Sequence, residues 1–112
     1  MKWIIGKFWN TYFKWRKQMN NNEVKCYALE IISNNIKSVD DMEYIVTSFK
    51  SNDGLVGVSI DPKTGRQVAI FDNVEDRIEC YYRINEHFEQ PMVAFVIEPC
   101  YVEKKYLKKL NA

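Results

Sequence analysis

The side chains best suited to chemistry in this sequence are one histidine and three cysteines. His87 is the only histidine, and Cys80 precedes it by seven residues. In a helix this spacing puts both side chains on one face but about 10 Å apart along the axis, too far for a Cys–His hydrogen bond. The cysteines form no Cys-x-x-Cys pair and no cluster with zinc-ligand spacing. The sequence therefore predicts no catalytic residue, no metal site and no cofactor, and it favours a function without catalysis.

Acidic side chains are the second candidate group. Asp72, Asp76 and Glu79 fall on one face at the start of a predicted helix. Grouped carboxylates can act as a general acid and base, or bind a divalent cation, when a cleft holds them together. The sequence does not indicate a cleft, so two interpretations remain. One is solvated charge that complements the helix dipole, and the other is a negative patch at the rim of a protein interface.

Aromatic residues are the most distinctive part of the composition. Three tryptophans, seven tyrosines and six phenylalanines occur in the chain, and all three tryptophans lie within residues 2–19. This segment is compatible with the core-facing stripe of a helix, a protein-binding surface, an interfacial membrane helix or a base-stacking platform. Core packing is the first interpretation. The second is a protein interface, with Trp3 and Trp9 among its contacts.

Composition narrows the function classes further. Hydrophobic residues make up 46% of the chain and charged residues 28%, which is typical of a globular protein, and the length fits a single domain over residues 1–112. The net charge of +1 provides no field to attract nucleic acid, and no phosphate-binding glycine motif occurs. We find no signal-peptide pattern and no membrane-spanning run. With three widely spaced cysteines, typical of reduced thiols, these features predict a cytoplasmic protein.

The N-terminal third of the chain is predicted to be helical. Residues 2–19 follow the period of an amphipathic helix rich in aromatic side chains, and residues 20–112 are expected to form an α+β body. Residues 22–36 also repeat at helical spacing. A strand from Val24 to Ile32 is the alternative for this second segment, and helix is preferred because the apolar residues do not alternate.

The next segment carries two conflicting signals. The β-branched run at residues 45–47 predicts a strand over 44–50. However, Ser38 and Asp41 resemble the capping residues of a helix, and the apolar residues from Val39 to Phe49 also fit helical spacing. A short helical turn that leads into a strand would satisfy both signals.

The rest of the chain has clearer boundaries. Asn73 suits the N-cap of a helix, because its side chain can accept a hydrogen bond from the first turn. Pro99 suits the first position of another helix. The predicted elements are strands at Leu55–Asp61, Arg66–Phe71 and Met92–Glu98, a turn at Pro62–Gly65, and helices at about 74–88 and 99–110.

Taken together, these elements follow the order ααβββαβα. This order predicts an α+β fold with a four-stranded, mainly antiparallel sheet. A three-stranded meander and one later strand would form the sheet, with the helices packed on one face.

The element order resembles the later part of an acetyltransferase of the GNAT class. That class carries a glycine-containing pyrophosphate loop between the last strand of the meander and the next helix. Here the corresponding junction runs from Asp72 to Asp76, contains no glycine and has three acidic residues. Such a junction would repel an anionic cofactor. A small enzyme with a reduced acyltransferase-like fold is therefore an alternative and not the main hypothesis.

The main functional hypothesis is a non-catalytic protein-binding module. We expect a small inhibitor or immunity-type protein that neutralises a toxin or a defence enzyme by masking its surface. Frequent lysine and asparagine, which AT-rich coding produces, agree with a bacterial, phage or mobile-element source. The expected interface residues are Trp3, Trp9, Asp72, Asp76 and Glu79. A peripheral membrane protein anchored by the helix 2–19 is a further alternative.

Overall fold

The computed structural model describes residues 3–5, 13–33, 36, 38–60 and 64–105. This part of the chain forms six strands and two helices. The elements are, in order, β1 (Trp3–Ile5), β2 (Phe13–Trp15), β3 (Glu23–Ile31), α1 (Val39–Lys50), β4 (Leu55–Ile60), β5 (Gln67–Phe71), α2 (Val74–Phe88) and β6 (Val93–Glu103).

All six strands belong to one sheet, in the order β1-β4-β5-β3-β6-β2. Five of them, from β4 to β2, are joined by antiparallel pairs, and the short β1 adds a parallel pair along β4. The predicted α+β class with an antiparallel sheet is confirmed. The expected four strands and the order ααβββαβα are wrong, and with that order the basis of the acetyltransferase resemblance is lost.

The predicted N-terminal helix over 2–19 is replaced by strands in the described residues. Trp3–Ile5 pairs with β4, and Phe13–Trp15 pairs with the far end of β6. Residues 6–12 lie outside the described part of the chain. The apolar spacing was misleading because Phe13 and Trp15 alternate with Lys14 as in a strand, and their sheet partner lies more than eighty residues away.

The predicted helix over 22–36 is also wrong, and the strand alternative is correct. Glu23–Ile31 is a central strand between β5 and β6. Cys26 and Ala28 face one side of the sheet, and Leu29 faces the other. A central strand buries both faces, so its apolar residues do not alternate with polar ones.

The strand predicted over 44–50 is a helix. Ser38 is the N-cap, and its hydroxyl accepts a hydrogen bond from the Asp41 amide at 3.1 Å. The helix buries Ile45 and Phe49, so the capping signal was correct and the β-branched run was misleading. The helix predicted over 99–110 is wrong in its first part, because residues 99–103 continue β6. Residues 104 and 105 are helical, and residues 106–110 lie outside the described residues.

Four of the predicted elements are confirmed, and one of them is the strand predicted at Met92–Glu98, which β6 contains from Val93 onward. The strands β4 and β5 pair in antiparallel fashion, and Gly65 before β5 has a positive φ of 75°. The helix α2 begins at Asn73, whose Oδ1 accepts from the Asp76 amide at 2.8 Å. It ends at Glu89, a left-handed residue with a φ of 54°.

The sheet separates two apolar clusters. Both helices pack on one face, where Ile45, Phe49, Cys80 and Ile84 meet the sheet residues. Neither described helix contributes to the cluster on the other face. That second cluster contains Phe13, Cys26, Ala28, Val56, Val68, Ile70, Cys100 and Val102, all of which are buried.

One buried carboxylate lies where β2 leads towards β3. The side chain of Glu23 is only 3% exposed and pairs with Arg16. It also accepts a hydrogen bond from the Asn20 amide at 2.8 Å. This amide hydrogen bond, together with Arg16, lowers the pKa of Glu23 below its ordinary value of 4.5.

We expect the Glu23 carboxylate to stabilise the fold only above its titration range. Because its pKa is lower in the folded chain, the stabilisation is present above about pH 4.5 and is lost as the pH falls through the folded value. Glu23→Gln should therefore be less stable than wild type near neutral pH, and the difference should shrink in acid. Urea unfolding of both proteins across this pH range measures it. A difference that stays constant with pH would contradict the assignment.

Neither of the two described helices has the length and apolar character needed to cross a membrane. The membrane-anchor alternative depended on a helix over 2–19, and the described residues of that segment do not form one.

Candidate partner-binding surface

The predicted acidic residues lie at the N-terminal half of α2, and Asp76 has a structural partner there. Its Oδ2 accepts from the Gly54 amide at 2.8 Å and from Asn73 Nδ2 at 3.2 Å. The Gly54 carbonyl in turn accepts from the Asp72 amide at 2.8 Å. These bonds fasten the turn before β4 to the start of α2.

We expect Gly54→Ala to lower the free energy of unfolding by about 1–3 kcal/mol. A Cβ at this position would overlap Nδ2 of Asn73 and Oδ2 of Asp76, so both side chains would have to move and the hydrogen bond from the Gly54 amide to Asp76 would be disturbed. Urea denaturation measures the loss. Gly65→Ala is the control, because its Cβ meets no atom within 4 Å and the cost is only the left-handed backbone, about 1 kcal/mol. A smaller loss for Gly54→Ala than for Gly65→Ala would contradict the crowding.

The other predicted interface residues are two acidic side chains with hydrogen-bond or ion-pair partners and two tryptophans whose side chains are not described. Glu79 pairs with Arg83 one turn later, at 2.6 Å. Asp72 is exposed and accepts from Asn73 Nδ2 at 2.7 Å. Trp3 takes part in β1 through its backbone, whereas its side chain and all of Trp9 lie outside what the structure describes. The structure therefore places Asp72 just before α2 and places Asp76 and Glu79 on it, and it does not test their role at an interface.

His87 and Cys80 make separate contacts. His87 is exposed and stacks on the Tyr44 ring with 3.6 Å between centroids. Cys80 is buried, and its Sγ points to the Ser48 carbonyl at 3.7 Å. Burial raises the pKa of Cys80 to about 12, so the thiol stays protonated at neutral pH. Among the residues that the structure describes, no group of three His, Cys, Asp or Glu side chains could hold a metal ion.

A different surface, which the sequence analysis missed, runs from α2 onto β6. Ile78 and Tyr82 are exposed on the helix, and Phe95 and Ile97 are exposed on the strand, Ile97 at 96%. The Tyr81 ring joins the two elements, because it stacks on Phe95 at 4.4 Å and meets Tyr82 edge-on at 5.2 Å. We call this group, with Arg77, the α2–β6 surface.

Arg77 connects the α2–β6 surface to β3. Its guanidinium carbon is 4.7 Å from the centre of the Phe95 ring and 5.4 Å from that of Tyr27 on β3. The Nε atom is buried and has no hydrogen-bond partner. Burial lowers the pKa of Arg77, since the charged form loses solvation there. An arginine in contact with two aromatic rings is a typical component of a recognition site.

The pocket beside Arg77 arises from an irregularity in the sheet. Cys26 pairs with Cys100 and Ala28 pairs with Val96, so the three residues 97–99 of β6 lie opposite Tyr27 alone. This bulge bends β6 and interrupts the regular ladder. It opens a pocket of about 270 Å³ whose polar lining includes Lys25, Arg77 and Glu98.

Sequence reasoning missed this surface because its residues come from two separate elements, α2 and β6. Ile78 and Tyr82 are four residues apart, which on a helix indicates a shared face. This spacing alone does not show whether the face is buried or exposed. Phe95 and Ile97 share a strand face, but their neighbours depend on how β6 pairs with β3, which no local pattern indicates.

No protein-family model, curated protein or solved structure gives a significant match to this chain. The fold and the exposed residues define the chain as an α+β domain with an aromatic and cationic surface.

Proposed function

We propose that this chain is a non-catalytic binding module that attaches to another protein through the α2–β6 surface. The observation that carries the proposal is the exposure of Tyr82, Phe95 and Ile97 beside the partly buried Arg77. Tyrosine and arginine are enriched among the residues that dominate interface energies. Neighbouring exposed apolar side chains are also typical of interaction sites, because burying them in a complex is favourable.

The mode of action that we propose is masking. An aromatic anchor such as Tyr82 or Phe95 would fill a pocket on the partner, and the covered surface would no longer reach its own target. Asp72, Asp76 and Glu79 would form a charged rim that steers the encounter, and Trp3 and Trp9 would add contacts. In this proposal the chain is an inhibitor or immunity-type protein of a bacterial, phage or mobile-element source, and its partner is a cytoplasmic toxin or defence enzyme.

The experiment is a capture assay with lysate of the source cell at micromolar concentrations. Wild type, Ile97→Asp and Val39→Asp are immobilised in parallel, and the retained proteins are identified by mass spectrometry. Ile97 is 96% exposed and Val39 is 82% exposed, so neither substitution disturbs the core. Val39 lies on α1, outside the α2–β6 surface, and is therefore a matched control.

We expect one protein to be retained by wild type and by Val39→Asp and to be lost with Ile97→Asp. The purified partner should then lose activity when wild type is added, and keep it with Ile97→Asp. The proposal is wrong if wild type retains no protein, if Ile97→Asp retains the same protein equally well, or if the bound partner keeps full activity.

A further inference from the structure

Arg77 differs from the other arginines because no described residue gives it a carboxylate partner. All four arginines lie in the described part. Arg16 pairs with Glu23, Arg66 forms two hydrogen bonds with Glu30 at 2.9 and 3.0 Å, and Arg83 pairs with Glu79. Arg77 contacts two aromatic rings, and it forms no hydrogen bond or ion pair with the described residues. A partly desolvated cation without an anion is unfavourable, so an external anion would be bound favourably.

The position of the Arg77 side chain favours binding of an anion. The rings of Tyr27 and Phe95 both contact the guanidinium and restrict its rotation before any ligand arrives. Less conformational entropy is therefore lost on binding. A guanidinium that keeps free N–H groups can bind a carboxylate through two parallel hydrogen bonds.

The charges around the pocket favour an anion with a single negative charge. Lys25 is a second cation there, with its Nζ 5.6 Å from the centre of the Tyr27 ring. Glu98 also lines the pocket and brings one negative charge. Because the Coulomb energy scales with charge, a phosphate dianion would double both the attraction to Lys25 and Arg77 and the repulsion from Glu98, and it would leave excess negative charge in a partly desolvated pocket. The combined formal charge of Lys25, Arg77 and Glu98 is matched by one carboxylate.

We propose that the pocket between β3 and β6 binds the carboxylate of an Asp or Glu side chain on the partner protein, with Arg77 as its principal ligand. The inference rests on the proposed function, since it names the chemistry that the α2–β6 surface recognises. The volume of about 270 Å³ is ample for one such side chain. The exposed Ile97 at the rim would contact the apolar part of the same partner segment.

The test is an NMR titration that observes the Arg77 Nε–Hε signal in the wild-type chain. The probe is N-acetyl-glutamate methylamide, and the matched probe without charge is the glutamine compound. We expect a saturable shift with millimolar affinity for the glutamate probe and none for the glutamine probe. Arg77→Lys, observed through backbone amides at residues 97–99, should bind about tenfold more weakly, because lysine cannot form the two parallel hydrogen bonds. Arg83→Lys should bind as wild type does, and Glu98→Gln should bind more tightly.

Several results would overturn the inference. An unchanged Arg77 signal with the glutamate probe would do so, and so would tighter binding of N-acetyl-phosphoserine methylamide. If a partner is captured through the α2–β6 surface and Arg77→Lys leaves its affinity unchanged, the carboxylate inference is wrong while the proposed function stands. If the glutamate probe binds as expected and no protein is captured, the proposed function is wrong while the pocket keeps its carboxylate specificity.

Discussion

In the folded chain the thiol of Cys26 is expected to react with iodoacetamide about a thousandfold more slowly than in the unfolded chain near pH 8. Burial in the second apolar cluster raises its pKa from the ordinary 9.0 to about 12. Only the thiolate reacts, and at a pH below both values this rise in pKa lowers the thiolate population by about a factor of a thousand. Restricted access would slow the reaction further, because Cys26 is only 3% exposed.

The other two cysteines should behave in the same way. Burial raises the pKa of Cys80 to about 12 and raises that of Cys100 still more. Mass spectrometry of alkylated protein, with and without urea, counts the modified residues and identifies them. The urea sample is the control, since all three thiols should react there. Rapid modification of any one of them in the folded chain would contradict the burial that the structure gives.

The same pKa shifts have a consequence for stability in alkali. A group whose pKa is raised on folding stabilises the fold below its unfolded value and stops doing so as the pH rises through the folded value. For Cys26 and Cys80 this window runs from 9.0 to about 12. Loss of stability over this range should therefore be smaller in Cys26→Ala than in wild type, as judged by urea unfolding.

Phe71→Ala is expected to lower the free energy of unfolding by about 3–5 kcal/mol. Phe71 is fully buried on the central strand β5, and it belongs to the cluster on which both helices pack. Its removal would leave a cavity between the sheet and the helices. Because domains of this size have about 5–15 kcal/mol of stability in total, the variant should be close to unfolding at physiological temperature.

Phe95→Ala is the matched comparison, because the same atoms are removed from a site that is 40% exposed. We expect it to cost about 1 kcal/mol of stability but to weaken partner binding by 2 kcal/mol or more, which is about thirtyfold in Kd. Urea unfolding and binding measurements on both variants separate the two effects. If Phe71→Ala does not fold, Phe71→Leu should still fold with a loss below about 1.5 kcal/mol. Equal stability losses for the two alanine variants would contradict the assignment of Phe71 to the core and Phe95 to the surface.

The elements with local signals were predictable from the sequence. The helix α2 has Asn73 as its cap and acidic residues in its first turn, and the structure uses both. The hairpin strands β4 and β5 are rich in β-branched and apolar residues and are separated by turn residues that include Gly65. In each case the interactions that select the conformation lie within a few residues of one another, so the sequence contains them directly.

Segments whose conformation depends on distant partners were not predictable. The strand β3 fits a helical repeat by spacing, and it is a strand because β5 and β6 pair with both of its edges. In α1 the β-branched residues fit either conformation, and packing of Ile45 and Phe49 on the sheet favours the helix. Tertiary contacts of this kind outweigh propensities of a few tenths of a kilocalorie per residue.

The sequence by itself determined the α+β class, the capped helix α2 and the hairpin, because each depends on composition or on neighbours along the chain. Only the tertiary structure decided the strand order, the bulge at residues 97–99 and the contact of Arg77 with Tyr27 and Phe95. The physical reason is that Arg77, Tyr27 and Phe95 come from three separate elements, α2, β3 and β6. Their meeting depends on the register between β3 and β6, and many long-range contacts determine that register together.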